Sequence, residues 1–169
     1  MSGYWNPECI DEEGFDMSNY NCGGYALKTK DWYIPTPGQR PLMLGKCDYC
    51  DNYDDCEDCE YNNTPLNLDF LMEEAVNHML AEFPNLRIVS SEAELKSFET
   101  LVIFRLGRSD FHYVRKERDG RYYHKRGWNP EIEEMPEEEV YGSSWCYGKY
   151  DGPMTLFGYD ERQKLRNAI

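Results

Sequence analysis

The segment over residues 46–61, KCDYCDNYDDCEDCEY, places the tightest constraint on how this chain can fold. Apart from tyrosine it offers nothing apolar to pack, and its residues 47–60 carry seven acids and no base. Such a stretch cannot join a hydrophobic core and needs a metal or cross-links to hold a shape. Cys47, Cys50, Cys56 and Cys59 form two CxxC pairs five residues apart. Two thiolates at CxxC spacing fold back onto one ion, and two such pairs complete the tetrahedron that Zn2+ takes. A fully sulfur-ligated ion has no open position, so the zinc would be structural. Neighbouring Asp and Glu are hard oxygen donors. Zinc favours the thiolates, and calcium or magnesium would not choose sulfur. Two disulfides, free thiols in an acidic loop, or a redox use of the pairs are the alternatives. The stretch before Phe15 lacks the basic-then-apolar pattern of an export signal, which disfavours disulfides.

The remaining sequence has enough apolar material for one core. Its 169 residues include fourteen tyrosines and four tryptophans. The expected organisation is a single domain over 1–169 with an inserted lobe at 46–61. No apolar run approaches 18 residues, so no membrane span is expected, and the expected location is the cytoplasm. A net charge of −14 argues against a dedicated nucleic-acid binder. The charge is uneven: residues 131–139 carry six glutamates. Residues 105–126 hold eight of the eighteen Lys and Arg, namely Arg105, Arg108, Arg115, Lys116, Arg118, Arg121, Lys125 and Arg126. This basic strip either guides an acidic substrate or balances the chain's own acids.

Periodicity orders the rest. Residues 1–20 read as irregular. Asn21 precedes a short helix beginning at Cys22, and IPTPGQRP reads as a loop. After Thr64-Pro65, the residues Leu68, Leu71, Met72, Ala75, Val76, Met79, Leu80 and Phe83 recur at helical spacing until Pro84-Asn85. LRIVS at 86–90 reads as a strand, Ser91 to Glu94 as a capping box opening a short helix to about Phe98, and TLVIFRL at 100–106 as a buried strand. FHYVRKE and RYYHKR, around Arg118-Asp119-Gly120, read as a hairpin. Residues 127–145 read as an excursion rich in Gly, Pro and Glu, and TLFGY at 155–159 as an edge strand. Helices first and an antiparallel sheet after them predict an α+β fold.

Cys22 lies outside the metal cluster, at a helix start where the dipole lowers a thiol pKa. Gly23 and Gly24 follow and leave room for a substrate. A reactive thiol needs a base. His78 falls off the apolar stripe of its helix and reads as a surface residue. His112 and His124 sit on the two hairpin arms. A two-residue turn would put them on opposite faces. A three-residue turn, 118–120, sets 117 against 121 and His124 against Val114, so both rings share a face on a diagonal of about 7–8 Å. Gly120 is the residue that the last, left-handed position of such a turn requires. In a triad reading Cys22 is the nucleophile, His112 the base and His124 the residue that orients it. The backbone amide of Cys22 would join the oxyanion hole, with Tyr20 and Asn21 as nearby side-chain candidates. The alternative is a buried cysteine and two strand histidines in a chain that catalyses nothing.

Asn21-Cys22-Gly23-Gly24-Tyr25-Ala26-Leu27 resembles the nucleophile helix of papain-like cysteine peptidases of the NlpC type. His112 to Arg115, the Asp119-Gly120 turn and Tyr123-His124 resemble that family's hairpin, with the same twelve-residue histidine separation. Asp110-Phe111-His112 and Phe157-Gly158-Tyr159 are similar to a phage and bacterial branch. The resemblance covers roughly half of the chain and does not include the four-cysteine lobe. It implies a papain-like core with the nucleophile helix packed on an antiparallel sheet. It also implies amide hydrolysis without a cofactor and catalytic roles for Cys22, His112 and His124. The expectation is a thiol hydrolase acting on an amide or isopeptide bond of a peptide or protein, with phage origin as one source. Its rivals are an acyltransferase using the same thiol, and an acidic binding or inhibitor protein in which Cys22 is a core residue.

Overall fold

A computed structural model describes residues 9–35, 67–107, 110–127 and 129–163. Cys47, Cys50, Cys56 and Cys59 lie outside the described residues, as do Arg108 and most of the proline-rich loop. The fold is α+β, as the order of elements predicted. It is organised by a six-stranded antiparallel sheet. In chain order the strands are β1 (Leu86–Val89), β2 (Glu99–Leu106), β3 (Phe111–Lys116), β4 (Tyr122–Lys125), β5 (Ile132–Met135) and β6 (Met154–Asp160). Their spatial order is β1-β6-β2-β3-β4-β5. Among the described residues the helices are α1 (Cys22–Ala26), α2 (Leu68–Glu82) and α3 (Glu137–Val140).

Side chains alternate across a strand, so the sheet has two apolar faces. On one, Val102, Phe104 and Leu106 of β2, Tyr113 of β3 and Phe157 of β6 pack with Cys22 and Ala26 of α1 and with Met72, Ala75, Val76 and Met79 of α2. A side chain of this size contributes about 1.5–3 kcal/mol when fully buried. The Tyr113 hydroxyl donates to Met79 Sδ at 3.0 Å, tying α2 to β3. On the other face Leu101, Ile103, Val114, Tyr122 and Met135 pack with Val140, Trp145 and Tyr150. α1 and α2 therefore cover one face, while α3 and the loops after β5 cover the other.

The hairpin has the three-residue turn that Gly120 predicted. Gly120 adopts φ 83°, the Glu117 amide donates to Arg121 O at 2.9 Å, and Arg115 pairs with Tyr123. Three expectations are corrected. TLFGY is not an edge: β6 pairs with both β1 and β2, and among the described strands the edges are β1 and β5. Strand burial depends on partners distant in sequence, and a short alternating run does not reveal them. The excursion at 127–145 contains β5 and α3; six glutamates hide them because Glu133 and Glu134 lie on a sheet edge, where charge is tolerated. The capping box yields only a 3₁₀ turn at Glu92–Glu94. Ser91 makes no capping bond, and Glu94 takes the Ser90 hydroxyl instead.

Candidate active site

α1 has five residues, two of them glycine, which is too short and too permissive to stand by propensity. Asn21 holds its start. The Asn21 Oδ1 accepts from the amides of Gly24 at 2.9 Å and Tyr33 at 3.0 Å, while Nδ2 donates to Tyr33 O at 2.8 Å. One buried side chain thus caps the helix and fastens the segment around Tyr33 beside it. Asn21→Ala removes all three bonds and leaves buried partners unpaired, so it should cost about 2 kcal/mol. A urea unfolding midpoint checks this; an unchanged midpoint would show that the cap is dispensable.

Cys22 is the first residue of α1 and is 5% exposed. The β3–β4 ladder pairs Arg115 with Tyr123 and Lys116 with Tyr122. Two residues along from Arg115, the Tyr113 amide is directed at the Cys22 sulfur, as is that of Gly23. Burial, with the Asp110 carboxylate adding to it, pushes the thiol up to about 12 against the opposing pull of those amides and Lys125. The sequence led us to expect a lowered value. A helix of five residues has little dipole to offer, and burial outweighs it. Lys125 is fully buried beneath this site, where its Nζ donates to the carbonyls of Tyr20 and Gly127. Burial brings its ammonium down to about 8.

His112 and His124 share the sheet face opposite Tyr113. His112 Nε2 and His124 Nδ1 are 2.8 Å apart with the rings at 87°. Tyr150 stacks on His112 at 4.9 Å and 15°, and Trp145 meets it edge-on at 6.2 Å. This apolar setting holds the His112 imidazole well below its ordinary pKa, chiefly through burial. Burial and Arg126 lower His124 as well, opposed by Glu133. Both rings are therefore neutral near pH 7. Glu133 Oε2 lies 3.9 Å from His124 Nε2 and favours the tautomer with its proton there. His124 Nδ1 is then an acceptor, His112 donates to it from Nε2, and the lone pair of His112 sits on Nδ1.

Cys22, His112, Asp110, Trp32, Cys146 and Tyr150 line one cleft of about 380 Å³ at the start of β3. Cys22 reaches it from the helix-covered face and His112 from the other, while His124 joins through its bond to His112. Among the described residues no hydrogen bond connects Cys22 with His112. A larger cleft, about 950 Å³, lies at the other end of β2 and β3. It has no His or Cys in its walls, and Lys116 is bonded there to Glu92.

Neither side-chain candidate for the oxyanion hole is available. Asn21 is committed to Tyr33, and the Tyr20 hydroxyl donates to Asp11 at 3.0 Å. His78 faces Glu82 at 3.0 Å, away from the cleft. The basic strip is divided: Arg105, Arg115 and Lys125 are buried, whereas Arg118, Arg121 and Arg126 are exposed. The sequence reading missed Glu133, Tyr150 and Cys146. The ligating atoms of His112, His124 and Cys146 all lie within 4.8 Å of one another. Among the described residues no helix is long and apolar enough to cross a membrane. No protein-family model, no curated protein and no solved structure matches the chain.

Proposed function

We propose that the chain is a cysteine hydrolase with a papain-like core, cleaving an amide or isopeptide bond, and that the four-cysteine lobe is a zinc-bound insertion. The observation that carries this reading is the 2.8 Å bond between His112 and His124 beside a cleft that Cys22 also lines. His112 Nδ1 takes the Cys22 proton as sulfur attacks the carbonyl carbon. The oxyanion faces the Cys22 amide at the start of α1. The tetrahedral adduct expels the amine, which receives the proton from His112, and a thioester remains. Water, deprotonated by the same imidazole, releases the acid and the free thiol. His124 holds the His112 tautomer, and Glu133 holds that of His124. Lys125 lies where it favours the thiolate over the thiol. Capture of the thioester by an amine would make the same site an acyltransferase.

A second reading is favoured by one observation: a thiol this deeply buried, with its pKa raised, is typical of a core residue. The chain would then be an acidic binding protein. Iodoacetamide at pH 7, with mass-spectrometric assignment, separates the two. A hydrolase should be labelled at Cys22 ahead of Cys9 and Cys146, and His112→Gln should slow that labelling at least tenfold while leaving the circular dichroism spectrum intact. Modification of Cys9 and Cys146 with Cys22 untouched would overturn the hydrolase reading.

A further inference from the structure

The cleft contains a second thiol. Cys146 is half-buried and sits in a four-residue loop closed by the Trp145–Tyr150 bridge. Cys146 and Tyr147 both have left-handed backbones, with φ 53° and 58°. Non-glycine residues enter that region at a cost of about 1 kcal/mol or more each. This turn brings the Cys146 sulfur to the histidine pair rather than out to solvent.

We infer that His112, His124 and Cys146 form a site for a thiophilic divalent cation, Zn2+ being the best fit. Two imidazoles and one thiolate suit zinc, copper or cobalt, and exclude magnesium and calcium. Around tetrahedral zinc, donors bonded at about 2.0–2.3 Å stand about 3.3–3.6 Å from one another. The three donors already lie within 4.8 Å. The ion takes His112 Nε2, whose proton moves to Nδ1, the atom that would otherwise accept from Cys22, so the 2.8 Å contact opens by about half an ångström and the sulfur closes in. His112 and Cys146 both line the cleft, so the fourth position faces it and is open to water or a substrate atom. Glu133 stands 3.9 Å from His124 Nε2, beyond hydrogen-bond length, on the side where metal-bound histidines commonly have an outer carboxylate. The nearby cations are balanced: Arg126 bonds Glu133 at 3.1 Å and Lys149 stands 3.8 Å from Asp110. This site shares no residue with the four-cysteine lobe. Its regulatory consequence rests on the hydrolase reading: an ion held by His112 removes the base from Cys22, so the cation would act as a reversible off-switch.

The test counts zinc per folded full chain after equilibration with low-micromolar free Zn2+. Wild type is compared with Cys146→Asn, chosen because asparagine tolerates a left-handed backbone, and with His124→Gln. Each variant should hold one zinc fewer than wild type, with its circular dichroism unchanged. Co2+ should give a thiolate charge-transfer band that is weaker in Cys146→Asn by one site. Equal metal content in all three folded proteins would overturn the site. In a second arm, Zn2+ should slow iodoacetamide labelling of Cys22 at least tenfold in wild type and not in Cys146→Asn. If Cys22 is not labelled under any condition, the hydrolase reading fails, and the zinc count still decides the site on its own.

Discussion

Replacing Arg115 with methionine should destabilise the protein by about 3 kcal/mol, the range seen when one partner of a buried ion pair is removed. The Arg115 side chain is 1% exposed. Its guanidinium donates to Ala26 O at 2.6 Å, to Thr100 Oγ1 at 2.8 Å and to the carboxylates of Glu117 and Glu161, and it lies 4.8 Å from the Tyr159 ring centroid. Ala26 is the last residue of α1, so this arginine bolts the helix bearing Cys22 to the middle of the sheet. Methionine fills the volume but leaves Glu161, among the described residues, with Lys28 as its remaining cation, at 3.0 Å. Arg115→Lys should fall between, keeping the charge and losing the fork. Burial raises the Glu161 pKa, but Arg115 and Lys28 more than offset it, so the folded carboxyl titrates below its ordinary value. Its contribution is fully present above the unfolded pKa of about 4.3 and is lost as pH falls through the folded value. The gap between wild type and Arg115→Met should therefore narrow on acidification. Urea unfolding at pH 7 and at pH 3.5 measures both effects; a constant gap would remove the ion pair from the explanation.

Gly24→Ala is the second large effect expected. A Cβ there would stand 2.0 Å from Asp31 O and 2.9 Å from Tyr20 Cβ. The obstructing oxygen is backbone, so no rotamer change relieves it; either α1 or the Asp31 segment must move. The cost should reach about 3 kcal/mol or more, the upper end for overpacking, and it should abolish selective labelling of Cys22. Gly23→Ala is the control. Its Cβ would meet Tyr113 Cε2 at 3.1 Å and Tyr33 Cδ2 and O at 3.2 Å. That is tight, but two of the three are ring atoms that can yield, and the gain in helix propensity is about 1 kcal/mol. Thermal melts of the two variants should differ by at least several degrees. Equal melting temperatures would show that the Asp31 contact gives way easily.

The contrast between these glycines shows what the sequence discloses. Asn21-Cys22-Gly23-Gly24 signals a capped helix start, and the structure has one. It does not say which glycine faces a carbonyl, because Asp31 reaches Gly24 only through the turn at Lys28 and Lys30, two non-glycine residues with positive φ. The hairpin register was legible because the turn is local and Gly120 selects its length. The His112–His124 contact followed from that register alone. Cys146 was not legible, since its approach depends on two left-handed residues in a row that nothing in Trp145-Cys146-Tyr147 announces. The thiol state of Cys22 was misjudged for a related reason: position at a helix start is written in the sequence, whereas depth of burial is set by the sheet and by Tyr33 packed against it.

The placement of β6 bears on the order in which the molecule can assemble. Among the described strands β1 borders only β6, and β6 pairs with β2 from Glu99 to Arg105. A chain leaving the ribosome can close the local β3–β4 hairpin within microseconds. It must then wait, with one side of β2 bare and β1 unclaimed, until Met154–Asp160 emerges. At a few residues to some twenty per second that interval lasts seconds. During that wait an apolar strand edge is open to any neighbouring chain, so nascent-chain chaperoning should matter more for this protein than its size suggests.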